Sequence, residues 1–252
     1  MMVLLVQLFL AHIAGDFFLQ PDKWVKEKEK HKLKSGYLYL HAAVHFLLIM
    51  AITGNPAFWQ QALIITVIHL LTDATKLLLQ TEKTKRGWFF ADQLLHLFSI
   101  AAVWAYAGRS SLNWHALSEA AVLIPFTAVL FLLKPTSLII KNVISKWPPN
   151  SMTTSKESRP TGEPVIKVTI NESLQHAGQL IGIMERLMVF VFIMYGKWEG
   201  VGFLLAAKSV FRFGDLKDAR DMKLTEYVLI GTFLSFGIAL LTGLLTLKLL
   251  GK

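Results

Sequence analysis

The 252-residue chain contains no cysteine, and only 17% of its residues are charged. Without cysteine there is no disulfide framework, no thiolate nucleophile and no thiolate zinc site. Soluble globular domains carry about a quarter charged residues, so the shortage excludes an ordinary soluble enzyme as well as a disordered chain. Proline is also scarce, at 8 residues. What takes their place is hydrophobic: 54% of the residues, with a mean hydropathy of +0.48. The charge that remains leans one way, to a net +9. In a soluble protein that balance would point to nucleic acid. Here the basic residues sit in loops between long apolar runs, so they report topology and no nucleic-acid partner is expected.

A membrane-crossing helix needs roughly 17–25 mostly apolar residues. Such runs occupy 2–20, 37–53, 59–80, 89–107, 117–134, 178–196, 200–213 and 224–248. The reading is an all-α polytopic transmembrane bundle of about eight spans, with the short, polar seventh re-entrant or partly inserted. Lys and Arg concentrate in the first loop (23–34), the third (83–86), the long segment after 134 and the stretch 217–223. The positive-inside rule puts these loops in the cytoplasm and both termini outside. Three regions follow: a five-span bundle at 1–135, a cytoplasmic linker at 136–176 with one short strand at 164–170, and C-terminal membrane helices at 177–252. The linker is expected because its core is rich in Pro, Ser and Thr and nearly free of aromatics.

Ionisable residues inside apolar spans are costly and normally functional. The first four spans each carry a pair at positions i and i+4: His12 and Asp16, His41 and His45, His69 and Asp73, Asp92 and His96. Residues four apart share one helix face. With the topology above, all eight fall in the cytoplasmic half of the membrane at similar depth. A single His in a membrane helix is often an interhelical hydrogen bonder, and proton relays use the same residue types. Four such pairs on consecutive spans point instead to metal. Eight potential ligands suit two ions better than one. Imidazole with carboxylate and no thiolate suits Zn²⁺ first, with Mn²⁺ or Fe²⁺ as alternatives. Asp16, Asp73 and Asp92 are the candidates for a proton-relaying base, and spacing does not choose among them.

Cations accompany the pairs. Lys76 follows Asp73 by three residues, Arg186 lies in the sixth span, and Lys208 and Arg212 stand four apart in the seventh. Together they suggest a polar cavity for an anionic substrate group, most simply a phosphate.

The runs HIAGDFFLQPDKW, HAAVH, HLLTDATK and ADQLLH, followed by GQLIGIMER, LLAAKSVFRFGDL and EYVLIGTFLS, resemble a bacterial membrane family catalogued as domain of unknown function 3307. That resemblance implies a bacterial inner-membrane location and a shared fold, and carries no mechanism. More loosely, His and Asp pairs on membrane helices resemble the membrane-bound metal-dependent hydrolases, although the chain lacks the HRGxTHS-type run associated with them. The leading expectation is a metal-dependent hydrolase of a phosphorylated or lipid-linked substrate. A transporter of divalent ions or protons, and a non-catalytic membrane subunit stapled by metal, are the alternatives. Oligomeric state is not legible.

Overall fold

In hydrocarbon every backbone N–H and C=O must be bonded within the protein, and a helix does this inside one segment. A computed structural model describes residues 2–107, 116–146, 168–215 and 222–252, without the side chains of 116–119, 168–177, 211–215 and 222–225. The described residues are helical throughout, with no strand. In chain order they form α1 (Met2–Ile13), a π-turn (Ala14–Phe18), α2 (Asp22–His31), α3 (Gly36–Thr53), α4 (Trp59–Leu79), α5 (Lys85–Ala107), α6 (Ala116–Ile144), α7 (Val168–Met194), α8 (Trp198–Asp215) and α9 (Met222–Leu249).

Among the described residues, five segments are long and apolar enough to cross a membrane: Gly36–Thr53, Pro56–Leu79, Lys85–Ala107, Ala120–Ile144 and Glu226–Leu249. A sixth is added if Met2–Phe18 and Asp22–Lys34, bent by 81°, count as one broken crossing. The expected eight are therefore not reached. α8 carries Glu199, Lys208, Arg212 and Asp215, which dilutes it, whereas residues 178–194 of α7 are apolar apart from Gln179, Glu185 and Arg186. On α3, α4 and α5 the outward side chains Leu47, Leu71, Leu94 and Phe98 are exposed, as a lipid-facing surface requires.

The first expected span, 2–20, is helical from Met2 to Phe18, its last turn a π-turn. α1 ends at Ile13, and Pro21 starts α2, which turns away and carries mostly charged residues. Asp22 lies in its first turn and Lys28, Lys30 and His31 in its last, complementing the helix dipole. The expected linker at 136–176 is also shorter in the structure. α6 runs through Pro135 to Ile144, because Thr136 Oγ1 donates to the Phe131 carbonyl that the proline leaves without its helical N–H, at 2.8 Å. Of the strand expected at 164–170, residues 168–170 begin α7, and 164–167 lie outside the described residues.

The chain divides into two compact units, Met1–Thr127 and Ala128–Lys252. In the first, α1 packs on α3 and α5, and α4 also packs on both, closing a ring of four helices. Its apolar core joins Leu8, Ala11, Ile49, Ala62, Ile65 and Ile100. In the second, α7 is central, packed by α8 and α9 around Leu132, Val189, Phe190, Ile193 and Phe236.

Candidate metal centre

Leu8, Ile49, Ile65 and Ile100 of the first core each stand four residues from a histidine: His12, His45, His69 and His96. Since residues four apart stack along a helix, an aliphatic layer lies directly against an imidazole layer. The two layers enclose a small cavity. Within the imidazole layer the rings of His45 and His69, and of His69 and His96, have centroids 3.9 Å apart. His12, His41, His45, His69, Asp73, Asp92 and His96 are all buried, and the Asp16 side chain is 10% exposed. The structure thus brings the eight residues read from the sequence into one cluster in the first unit.

Asp16 reaches this cluster by a route that the spacing rule does not foresee. The residues are four apart, but Asp16 sits in the π-turn, where the Leu19 N–H donates to the Ala14 carbonyl five residues back at 2.8 Å. Such single wide turns recur at functional sites because they re-aim a side chain. The neighbouring Gly15 lets the turn approach α3. A Cβ at this position would fall on the imidazole of His45.

Asp16 Oδ1 is the hub. His45 Nε2 lies 2.8 Å away, His41 Nε2 3.3 Å and His69 Nε2 3.5 Å. His41 Nε2 and His69 Nε2 are themselves 3.2 Å apart. The triangle of Asp16 Oδ1, His41 Nε2 and His69 Nε2 therefore has edges of 3.2, 3.3 and 3.5 Å. Ligands held about 2.0–2.1 Å from a tetrahedral ion are separated by about 3.3–3.4 Å. The donor set, its burial and its spacing fit a first-row divalent ion. Further sets of ligand atoms lying within 4.8 Å of one another are His12, Asp16, His45 and His69; His41, His69 and Asp73; and Asp16, Asp92 and His96.

Several buried polar atoms also lack a hydrogen-bond partner: Nδ1 of His12 and His41, both ring nitrogens of His96, and Asp92 Oδ1. Buried polar atoms are ordinarily satisfied, so this concentration in one cluster is a second mark of a ligand site.

Two supporting residues, Gln93 and Lys28, escaped the sequence reading. Gln93 Oε1 lies 3.2 Å from His12 Nε2, while its Nε2 donates to Asp16 Oδ2 at 3.2 Å. Lys28 Nζ donates to Asp73 Oδ2 at 2.8 Å and is buried. Lys76, expected at a substrate anion, donates to Asp92 Oδ2 at 2.8 Å. Each of these two aspartates turns its other oxygen to His96 Nε2, at 3.6 Å from Asp73 and 3.3 Å from Asp92. Lys76 is the more open of the two lysines, with its side chain 26% exposed. Lys28 left no signal because it lies among other lysines in a loop that reads as solvated; a buried turn of α2 is visible only in three dimensions. Gln93 could have been flagged as a polar neighbour of Asp92 in an apolar run.

The expected anion residues of the C-terminal half are engaged within the second unit. Arg186 is buried and gives Nε to the Leu132 carbonyl at 2.8 Å, Nη2 to the Leu133 carbonyl and Ser137 Oγ, and Nη1 to Ser235 Oγ. Its fork braces α6 around Pro135. Lys208 donates to Glu185 and lies 5.8 Å from the Phe236 ring centroid. Arg212 falls on α8, and its side chain lies outside the described residues.

Residues 4–125 match a family described as a protein of unknown function (DUF3307). No curated protein and no solved structure gives a significant match. The distal motifs that shared the likeness in sequence lie beyond the matched region, whereas the four helices carrying all eight His and Asp residues lie almost wholly inside it. Over residues 4–125, just under half of the chain, the sequence is thus similar to this uncharacterised family.

Proposed function

We propose that the first unit is a membrane-embedded divalent-metal centre, and that the protein is a metal-dependent hydrolase acting on a phosphorylated or lipid-linked substrate from the cytoplasmic side. The observation that carries this reading is the near-equilateral triangle of Asp16 Oδ1, His41 Nε2 and His69 Nε2. Zn²⁺ is the first choice, with Mn²⁺ and Fe²⁺ behind it. Such an ion supplies Lewis acidity and a water activated near neutral pH. Around it, Asp16, Asp73 and Asp92 provide carboxylates that hold and pass a proton. Gln93 fixes His12 and Asp16, and the layer of Leu8, Ile49, Ile65 and Ile100 keeps bulk water from one side. Lys76, at the more open edge, orients an anionic group of the substrate.

The positive-inside distribution supports cytoplasmic basic loops and outward termini, and we keep α7 and α8 as further inserted helices, α8 re-entrant. The loose likeness to membrane-bound metal-dependent hydrolases favours the same reading by analogy alone. A transporter using the same pairs needs an exit on the far side, and the aliphatic layer weighs against it.

The test is elemental analysis of the detergent-purified chain, paired with turnover of phosphomonoesters and lipid-linked phosphates. The unaltered protein should carry transition metal and hydrolyse at least one such substrate. Asp16→Ala combined with His69→Ala, which removes two corners of the triangle, should remove both. Stoichiometric metal surviving in that folded variant would sink the site; metal flux into proteoliposomes without hydrolysis would establish the transporter.

A further inference from the structure

We infer that the centre is built for one divalent ion, and that Lys28 and Lys76 supply the positive charge that a second ion would otherwise bring. The inference rests on the metal reading above and sharpens it: ligand number in the sequence favours two ions, whereas charge in the structure favours one.

The eight side chains divide into two unequal sets. In the first, His12, His41, His45 and His69 surround Asp16, whose hydrogen bonds come from neutral groups, His45 and Gln93. With neutral imidazoles this set holds one negative charge and no counter-charge, which calls for a cation. In the second, Asp73 and Asp92 face His96 through Oδ1, and each Oδ2 is taken by an ammonium group at 2.8 Å. Two carboxylates against two lysines leave that set neutral already.

Burying an uncompensated charge in a nearly dry helix bundle is strongly unfavourable. One divalent ion in the first set takes the cluster from one net negative charge to one net positive, which a single monoanion cancels. A second divalent ion would leave three positive charges. The unpartnered His96 Nε2 and Asp92 Oδ1 do not require it. They already face each other at 3.3 Å, and a small ring rotation aligns them into an N–H···O bond.

Lys28 is the sharper of the two observations. Lysine is almost never fully buried unless paired. On α2 its neighbours Lys26 and Lys30 are exposed, whereas Lys28 is only 5% exposed, turned inward from a helix that is otherwise mostly polar. α2 is held in this place by more than the one pair. Glu29 bonds Lys85 at 2.7 Å, and the Trp24 ring stacks on Tyr37.

The inference is tested by counting ions. Full-length protein in detergent is exposed to excess Zn²⁺, desalted and analysed for zinc per chain. One zinc is expected in the unaltered protein. Lys28→Met combined with Lys76→Met, which keeps the stems and removes the charge, should admit a second. Lys28→Arg with Lys76→Arg, which retains the charge, should stay at one. Two zinc ions in the unaltered protein, or one in the folded methionine variant, would overturn the inference and leave the metal reading standing. No zinc in any form would overturn the metal reading itself. Should the methionine variant fail to fold, the unaltered protein loaded with Mn²⁺ decides by electron paramagnetic resonance. The hyperfine pattern of an isolated ion supports one site, and an exchange-coupled spectrum refutes it.

Discussion

Gly15 lies against His45 so closely that the position has no room for a methyl group. The contact ties the π-turn of α1 to α3, and it sets the distance from Asp16 Oδ1 to His45 Nε2 at 2.8 Å. Gly15→Ala is expected to push these elements apart. Overpacking of this kind costs about 1–3 kcal/mol, and displaced ligands typically lose about 10–100-fold in metal affinity. Thermal unfolding in detergent and metal competition titration measure the two effects. Unchanged affinity would show that His45 moves freely and is not a fixed ligand.

Gln93→Leu removes two contacts at once, to His12 and to Asp16. The fold should survive, since leucine fills a similar volume on α5. Metal affinity should fall by about 10–100-fold, as when a partner that orients a ligand is lost. Gln93→Ala should fall at least as far. An affinity equal to that of the unaltered protein in both variants would show that the amide does not orient the centre.

Arg186→Met tests a role that the sequence alone assigned to substrate. In the structure the guanidinium binds the carbonyls of Leu132 and Leu133 and the hydroxyls of Ser137 and Ser235. Removing it strands buried acceptors, at about 1–3 kcal/mol, and Arg186→Lys should restore little because a point charge does not reproduce the fork. Metal content should be unaltered, because every candidate ligand lies in the first unit. A variant with native stability and lost turnover would return Arg186 to the substrate.

Cysteine labelling settles the orientation cleanly, because the chain has no cysteine of its own. A single cysteine replacing Ser155 should resist an impermeant reagent in intact cells and react after the membrane is opened. Labelling in intact cells would reverse the topology and move the centre to the opposite side.

The site was legible to the extent that its background was apolar. His12, His41, His45, His69, Asp73, Asp92 and His96 stand out because a helix buried in lipid has little use for polarity, and their four-residue spacing survives into the structure on α3, α4 and α5. The spacing also holds for His12 and Asp16, 3.9 Å apart, although the π-turn that carries Asp16 was not legible, since a π-turn and an α-turn differ in hydrogen bonding and not in composition. Lys28 was hidden by its neighbours. In a run of lysines nothing local separates the buried one from the solvated ones, and only the position of α2 against Asp73 does so. The reading of a span is weakest at α8, where charged residues interrupt the apolar ones. Pro135 ended a span on paper. The helix passes through it because Thr136 and Arg186 bond carbonyls on the turn before it, contacts that propensity rules do not include.

The π-turn at Ala14–Phe18 amounts to one residue accommodated inside a helix. Removing one of its residues would close the wide turn into an α-helical one and leave the entry into α2 near its present orientation, because the turn absorbs its extra residue locally. Removing one from the regular turns between Leu8 and His12 would instead turn those two side chains about 100° apart, one residue's share of a 3.6-residue turn. A scan of one-residue deletions along α1 would show the difference: metal lost for excisions at residues 9–11, and retained when Phe17, which lies after Asp16, is removed.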